Sequence, residues 1–136
     1  MTIAFRHDHV GITLDRAHLD ATISWYVEKL DFEVVEQFGA HGSTFTFIAN
    51  GGVKLELIAA GAEARNPRPE SLPASHDVER QHHFCLAVED LGAALAQLEA
   101  RGVTPFAGPM QIDAIGQHIA FVLDNVGTII EFTAPV

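Results

Sequence analysis

Cysteine is almost missing from this chain of 136 residues: Cys85 stands alone. That excludes an intrachain disulfide framework, so a packed core has to rest on apolar side chains. Basic residues are scarce too, with Lys and Arg together at 8 against 18 Asp and Glu, a formal net charge of −10. Nucleic acid and anionic membrane both select for basic surface, so neither is expected as a partner. Apolar runs stop at strand length, which leaves no candidate transmembrane helix. The opening MTIAFRHDH lacks the charged-then-apolar order of a secretory signal. A cytoplasmic protein is the expectation. What the chain has in plenty is apolar residues, at 48%, enough for the core of a single domain over residues 1–136.

Periodicity predicts a β-α-β-β-β order that runs twice. In the first half, residues 7–14 alternate as a strand. Residues 18–30 place Leu19, Ile23, Tyr26, Val27 and Leu30 on one helical face, and Asp31 is a left-handed stop. Strands are expected over 31–38, 43–49 and 53–59, with Asn50-Gly51-Gly52 as a tight turn. In the second half, a strand over 83–89 leads to Asp90 as N-cap of a helix over 91–101, stopped at Gly102. An edge strand over 103–110 follows, since Pro105 has no donor. The closing hairpin turns at Asn125-Val126-Gly127. Module one thus spans about 5–60 and module two about 82–136. The connector, about 61–81, is expected to be an exposed loop with one short turn. The fold class is α+β. Each half leaves one sheet face bare, so two halves, from one chain or two, would form a curved eight-stranded sheet around a cup.

The repeat carries chemistry with it. His9 opens HVGI and His83 opens HFCL, 74 residues later; Glu56 closes KLE and Glu131 closes IIE, 75 residues later. A lone strand histidine is ordinarily a satisfied structural residue. Two at matching places, each with a carboxylate inside an apolar strand, are what a divalent metal ion requires, because a buried carboxylate needs a cationic partner. Two imidazoles and two carboxylates suit Zn, Ni, Co, Mn or Fe(II) and leave room for water or substrate.

The pieces HVGI, SWYVEKLDFEVV, GGVKLELI, HHFCLAVEDL and DNVGTIIEF, in this order, resemble the vicinal oxygen chelate superfamily, the glyoxalase/bleomycin-resistance/dioxygenase fold. Leu30-Asp31-Phe32 stands where that family usually has Leu-Gly-Phe. The resemblance implies the same ligands: His9, Glu56, His83 and Glu131. It further implies an isomerase, epimerase or lyase that moves a proton beside a metal-bound carbonyl through an enediolate, with Glu131 as first candidate base and Glu56 as second. HHFCLAVEDL is similar to methylmalonyl-CoA epimerases, and the ending is similar to glyoxalase I. The substrate would be a small molecule with vicinal oxygens or an acyl thioester. An Fe(II) ring-cleaving dioxygenase, using His9, His83 and Glu131, and a non-catalytic antibiotic-binding protein are the alternatives. The family's habit of pairing modules implies a homodimer.

Other residues are placed by strand parity. With the last hairpin centred on Asn125-Val126, Glu131 would oppose Ala120. His118 would then share its face and could serve as acid, base or hydrogen-bond donor, with Ser43 as its counterpart in the first half. Cys85 shares parity with His83. Arg65, Arg68 and Arg80 gather around the connector, either as a grip for an anion or as a solvated loop. Trp25 and Tyr26 are core or interface residues. His7, His41, His76 and His82 are expected on the surface or in loops.

Overall fold

The computed structural model describes residues 2–61, 68–77 and 79–136. They form two compact units, each a mixed four-stranded sheet, with strands ordered β1-β4-β3-β2 in the first and β5-β8-β7-β6 in the second. In each, the first strand lies parallel to the last and the other neighbours run antiparallel. The expected βαβββ order therefore appears twice. No described helix is long and apolar enough to cross a membrane.

In the first unit the strands are β1 (Val10–Asp15), β2 (Glu33–Ala40), β3 (Ser43–Asn50) and β4 (Val53–Ala60). Alternation along β4 buries Leu55, Leu57 and Ala59 and turns Lys54, Glu56 and Ile58 to the other face. Register pairs Glu56 with Phe47 on β3 and with Gly11 on β1. The face that carries Glu56 also carries Phe45 and Phe38, whose rings stack at 5.1 Å.

Helix α1 (Leu19–Leu30) stops at Asp31, which adopts the left-handed conformation expected of it (φ 56°). The buried stripe is Thr22, Tyr26 and Leu30; Val27, expected on that face, is 39% exposed. Thr22 lies four residues before Tyr26, so a β-branched polar residue holds the place that hydropathy assigned to an apolar one.

In the second unit the strands are β5 (Phe84–Ala87), β6 (Ala107–Ile112), β7 (Gln117–Leu123) and β8 (Ile129–Pro135). Between β4 and β5 lies the short helix α2 (Leu72–Ser75), capped by Ser71, a single turn within the described part of the connector. Helix α3 (Leu91–Ala100) is capped by Asp90, whose side chain accepts from Ala93 N–H at 2.9 Å, and it lies against β7 and β8. Gly102 follows at φ 82°, with Val103 N–H returning to the Leu98 carbonyl at 2.8 Å, the expected stop. The edge strand starts later than predicted, at Ala107. Residues 103–106 approach β7 through one bond, Phe106 N–H to Phe121 O, and the pairing breaks again between Ala107 and Met110 around Pro109.

The closing hairpin corrects the predicted register. Leu123 pairs with Ile129, leaving a five-residue turn of residues 124–128, and Glu131 lies opposite Phe121, not Ala120. Buried Asp124 organises this turn, its Oδ1 accepting from Val126 and Thr128 N–H at 2.9 and 2.8 Å. The face bearing Glu131 also carries Ile119, Phe121 and Ile129, which form an apolar cluster with Leu72 of α2 packed against it.

Candidate metal centre

His9 comes just before β1, and Glu56 projects from β4 next to it, with Nε2 to Oε1 at 3.8 Å. Gly11 sits opposite Glu56; a methyl there would meet Glu56 Oε1 at 3.9 Å, so the absent side chain leaves the carboxylate open space. The other ring nitrogen of His9 donates to Asp8 Oδ2 at 2.7 Å, and Lys54 Nζ lies 3.1 Å from the same oxygen. The His9 bond and the Lys54 cation hold the Asp8 carboxyl below its ordinary 3.8. The edge of the His9 ring meets Phe47 at 5.4 Å.

The second unit repeats this pair. His83 comes just before β5, and its Nε2 is 2.7 Å from Glu131 Oε2 on β8. Side-chain exposures match the first pair: 34% and 33% for the histidines, 17% and 16% for the carboxylates. His83 meets Phe121 edge-on at 5.7 Å, as His9 meets Phe47. Cys85 stands where the first half has Gly11, in register with Glu131, to which its thiol hydrogen bonds. Crowding around the sulfur, then the Glu131 charge, push the Cys85 thiol up to about 11 from 9.0.

Three readings of single residues change. His118 pairs with Ala134 and Gln111, on the sheet face opposite Glu131; Gln117, bonded to Thr133 at 2.8 Å, is on the Glu131 face instead. His82 is no isolated loop residue: its Nδ1 is 2.8 Å from His83 Nδ1 and its Nε2 is 2.7 Å from Ser75 Oγ. Burial, followed by the neighbouring His83, His76 and Arg80, holds the His82 imidazole below its ordinary 6.5. Arg68 donates to the Asp124 carbonyl at 2.9 Å and lies across Gly127, so it braces the last hairpin turn. Arg65 lies outside the described residues. His41 sits in the β2–β3 turn at φ 51°, as a loop histidine was expected to. Ser43 keeps the strand parity of Phe45 and Phe47 and hence the Glu56 face. Nothing in the sequence singled out Asp8 or Ser75, which hold the outer edges of the two histidine systems.

The geometry is thus two half-sites of like construction. In each, one imidazole nitrogen is engaged from behind and the other is presented to a carboxylate. Such an outer partner is the usual company of a metal-ligating histidine. Among the described residues no three His, Cys, Asp or Glu side chains form one metal-sized group. The donor types, two neutral-capable imidazoles and two carboxylates, fit a divalent cation.

The sequence profile of the glyoxalase/bleomycin resistance protein/dioxygenase superfamily matches residues 6–132. The chain belongs to this superfamily. Among curated proteins it is similar to the mitochondrial methylmalonyl-CoA epimerase of Mus musculus, 23% identical over 124 residues that cover 86% of this chain and 65% of the epimerase. The chain therefore spans less than two thirds of the length of that relative. A solved glyoxalase family protein from Enterococcus faecalis superposes with a TM-score of 0.75 at 24% identity, covering 94% of this chain and 96% of the other. The trypanothione-dependent glyoxalase I of Leishmania major superposes at 0.69 with 22% identity, covering 96% and 87%. At these identities the superpositions establish the superfamily fold, and enzymes are among the chain's relatives.

Proposed function

We propose that the protein is a divalent-metal-dependent isomerase, epimerase or lyase that moves a proton on the carbon next to a carbonyl. The observation that carries this reading is the twin construction of the His9–Glu56 and His83–Glu131 pairs, matched in strand position and exposure, each histidine engaged on its Nδ1 by an outer partner. The four side chains would together hold one metal ion, with the pairs drawn from one chain or from two. When bound, that ion supplies a Lewis acid for a carbonyl oxygen and so favours loss of the neighbouring proton.

The chain's own groups would do the rest. Glu131 takes the proton in this proposal, and Glu56 is the second candidate. The Cys85 thiol, protonated at neutral pH, donates to Glu131 and keeps its carboxylate oriented across β5 and β8. Ile119, Phe121 and Ile129 on the same face limit the water around Glu131, which strengthens any charge interaction there. His118, on the opposite face, has no part in this reading. The substrate is proposed to be a small molecule with vicinal oxygens or an acyl thioester, consistent with the epimerase and glyoxalase relatives.

The test is metal content of protein purified without chelator, combined with solvent-deuterium exchange into methylmalonyl-CoA and lactoylglutathione formation. About one divalent ion per four-residue set, with exchange or turnover lost in Glu131→Gln, is expected. Protein that takes up no metal, or a metal-loaded protein inert in both assays, would overturn the metal reading or the substrate reading respectively.

A second reading has one observation behind it. Phe38, itself 44% exposed, stacks on Phe45 beside the His9–Glu56 pair and offers a flat apolar surface. That shelf suits a non-catalytic binder of planar small molecules, the role that the superfamily's bleomycin-resistance branch is named for. Metal-independent binding of such a compound, abolished by Phe38→Ala, would favour it.

A further inference from the structure

The second histidine pair is backed by an uninterrupted line of polar atoms. Ser75 Oγ donates to the Leu72 carbonyl within α2, at 2.5 Å. A serine hydroxyl has one proton, so Ser75 has none left for its 2.7 Å contact with His82 Nε2. That bond must therefore be donated by His82 Nε2–H to Ser75. With Nε2–H donated to Ser75, the other ring nitrogen of a neutral His82, Nδ1, carries the lone pair. His82 Nδ1 is thus the acceptor of the 2.8 Å contact with His83, and His83 Nδ1–H is the donor. A neutral His83 then has its lone pair on Nε2, and Nε2 faces Glu131 Oε2 at 2.7 Å.

We propose that His82 and Ser75 are positioning residues for His83. They fix its ring and the tautomer with the proton on Nδ1, so that Nε2 is turned toward Glu131 as a ligand. The first half reaches the same end differently: the Asp8 carboxylate, steadied by Lys54, accepts from His9 Nδ1–H. The two half-sites therefore differ in their outer partner, a carboxylate behind His9 and a neutral imidazole behind His83. Helix α2 has a purpose in this arrangement. Its Leu72 packs on the Ile119–Phe121–Ile129 cluster and so brings Ser75 to the back of His82. The consequence for metal binding rests on the metal reading above; the tautomer does not.

The test uses full-length His82→Ala and His82→Asn, checked for fold by circular dichroism. Asn places an oxygen acceptor near the position of the lost Nδ1; Ala places none. Imidazole nitrogen NMR of the metal-free wild type is expected to show a slowly exchanging Nδ1 proton on His83, absent in His82→Ala and restored in His82→Asn. Zinc calorimetry is expected to show affinity about 10- to 100-fold weaker in His82→Ala and within a few-fold of wild type in His82→Asn. An unchanged Nδ1 proton and unchanged zinc affinity in His82→Ala would overturn the proposal. Wild-type protein that binds no zinc would sink the metal reading alone, and the Nδ1 proton signal would then decide the role of His82.

Discussion

Cys85 and Glu131 are register partners on the parallel strands β5 and β8, at the place that Gly11 and Glu56 occupy on β1 and β4. One half of the repeat therefore leaves space beside its carboxylate where the other sets a thiol. The residue is exposed, yet crowding at the sulfur and the adjacent charge hold the thiol up to about 11. The thiolate is the nucleophile, so exposure without ionisation means slow chemistry. Alkylation of metal-free protein by iodoacetamide should rise with an apparent pKa of about 11, well above the 9.0 of an unperturbed thiol. The raised pKa also stabilises the fold below the unfolded value of 9.0, and that contribution is lost as pH climbs through about 11. An apparent pKa of the ordinary thiol range would contradict the contact with Glu131.

How far the sequence could be read is clearest at the last hairpin. The βαβββ repeat, the caps at Asp31 and Asp90 and the stop at Gly102 follow from local chemistry, and each is where the residues put it. The quartet's spacings also held a clue: 74 residues separate the histidines and 75 separate the carboxylates, so one residue has been inserted between them. Pairing shows where. Asn50 faces Val53 in the first hairpin, whereas Leu123 is joined to Ile129 by a longer turn. Strand β7, just before that turn, keeps the offset of 74, so His118 corresponds to Thr44 and not to Ser43. Because side chains alternate, this one-residue difference moves His118 to the opposite face. The role of Arg68 was not legible, because it depends on Asp124, 56 residues away, and that of Ser75 was not, because α2 is seated by Leu72 packing on the distant β7–β8 cluster.

His82 should make stability sensitive to mild acid. Its folded pKa is depressed below 6.5, mainly by burial and then by His83, His76 and Arg80. The unfolded chain therefore takes up this proton more readily than the fold does. Its contribution is present above the unfolded value of 6.5 and is lost as pH falls toward the folded value. Between about pH 7.5 and about pH 5.5, the urea midpoint of wild type should fall further than that of His82→Asn. Equal falls would mean that His82 titrates as an ordinary exposed imidazole.

Asp124 should matter to stability well beyond its distance from the proposed chemistry. It is 0% exposed and accepts from Val126 and Thr128 N–H, while its own carbonyl accepts from Arg68. Replacing it with Ala leaves half-buried backbone donors without that acceptor, at a cost of about 1–3 kcal/mol. Asp124→Asn keeps an oxygen at the turn and should lose less. Urea denaturation of the three proteins checks the order, and a loss below about 0.5 kcal/mol in Asp124→Ala would show that the turn is held by other means.

The homodimer is a proposal, and the edge strand β2 is where it can be tested. Val34, Val35 and Phe38 are 49%, 56% and 44% exposed, and the β2 pairing slips between Val34 and Glu36. An apolar edge of this kind invites association unless it is covered. Light scattering at micromolar concentration should give twice the chain mass, and Val35→Lys should shift the balance toward monomer. A wild-type monomer across that range would refute the homodimer.

The two carboxylates should contribute alike to metal binding and unequally to turnover. Their exposures are 17% and 16%, and each faces an imidazole nitrogen whose ring is engaged on its other side. Like exposure and like donor types predict that Glu56→Gln and Glu131→Gln each weaken zinc binding by about tenfold or more and agree within about threefold, although Cys85 stands beside Glu131 where Gly11 stands beside Glu56. Metal bound to the folded state alone stabilises it by about 2.7 kcal/mol when free zinc is at 100 times its Kd. A chelator should therefore lower the melting temperature of wild type markedly and that of either variant far less. In turnover the pair should part. With zinc raised until each variant is saturated, Glu56→Gln should keep most of its kcat and Glu131→Gln should lose about 100-fold or more, the share a positioned base supplies. Saturated Glu131→Gln that turns over like wild type would move the base to Glu56 and leave Glu131 as a ligand only.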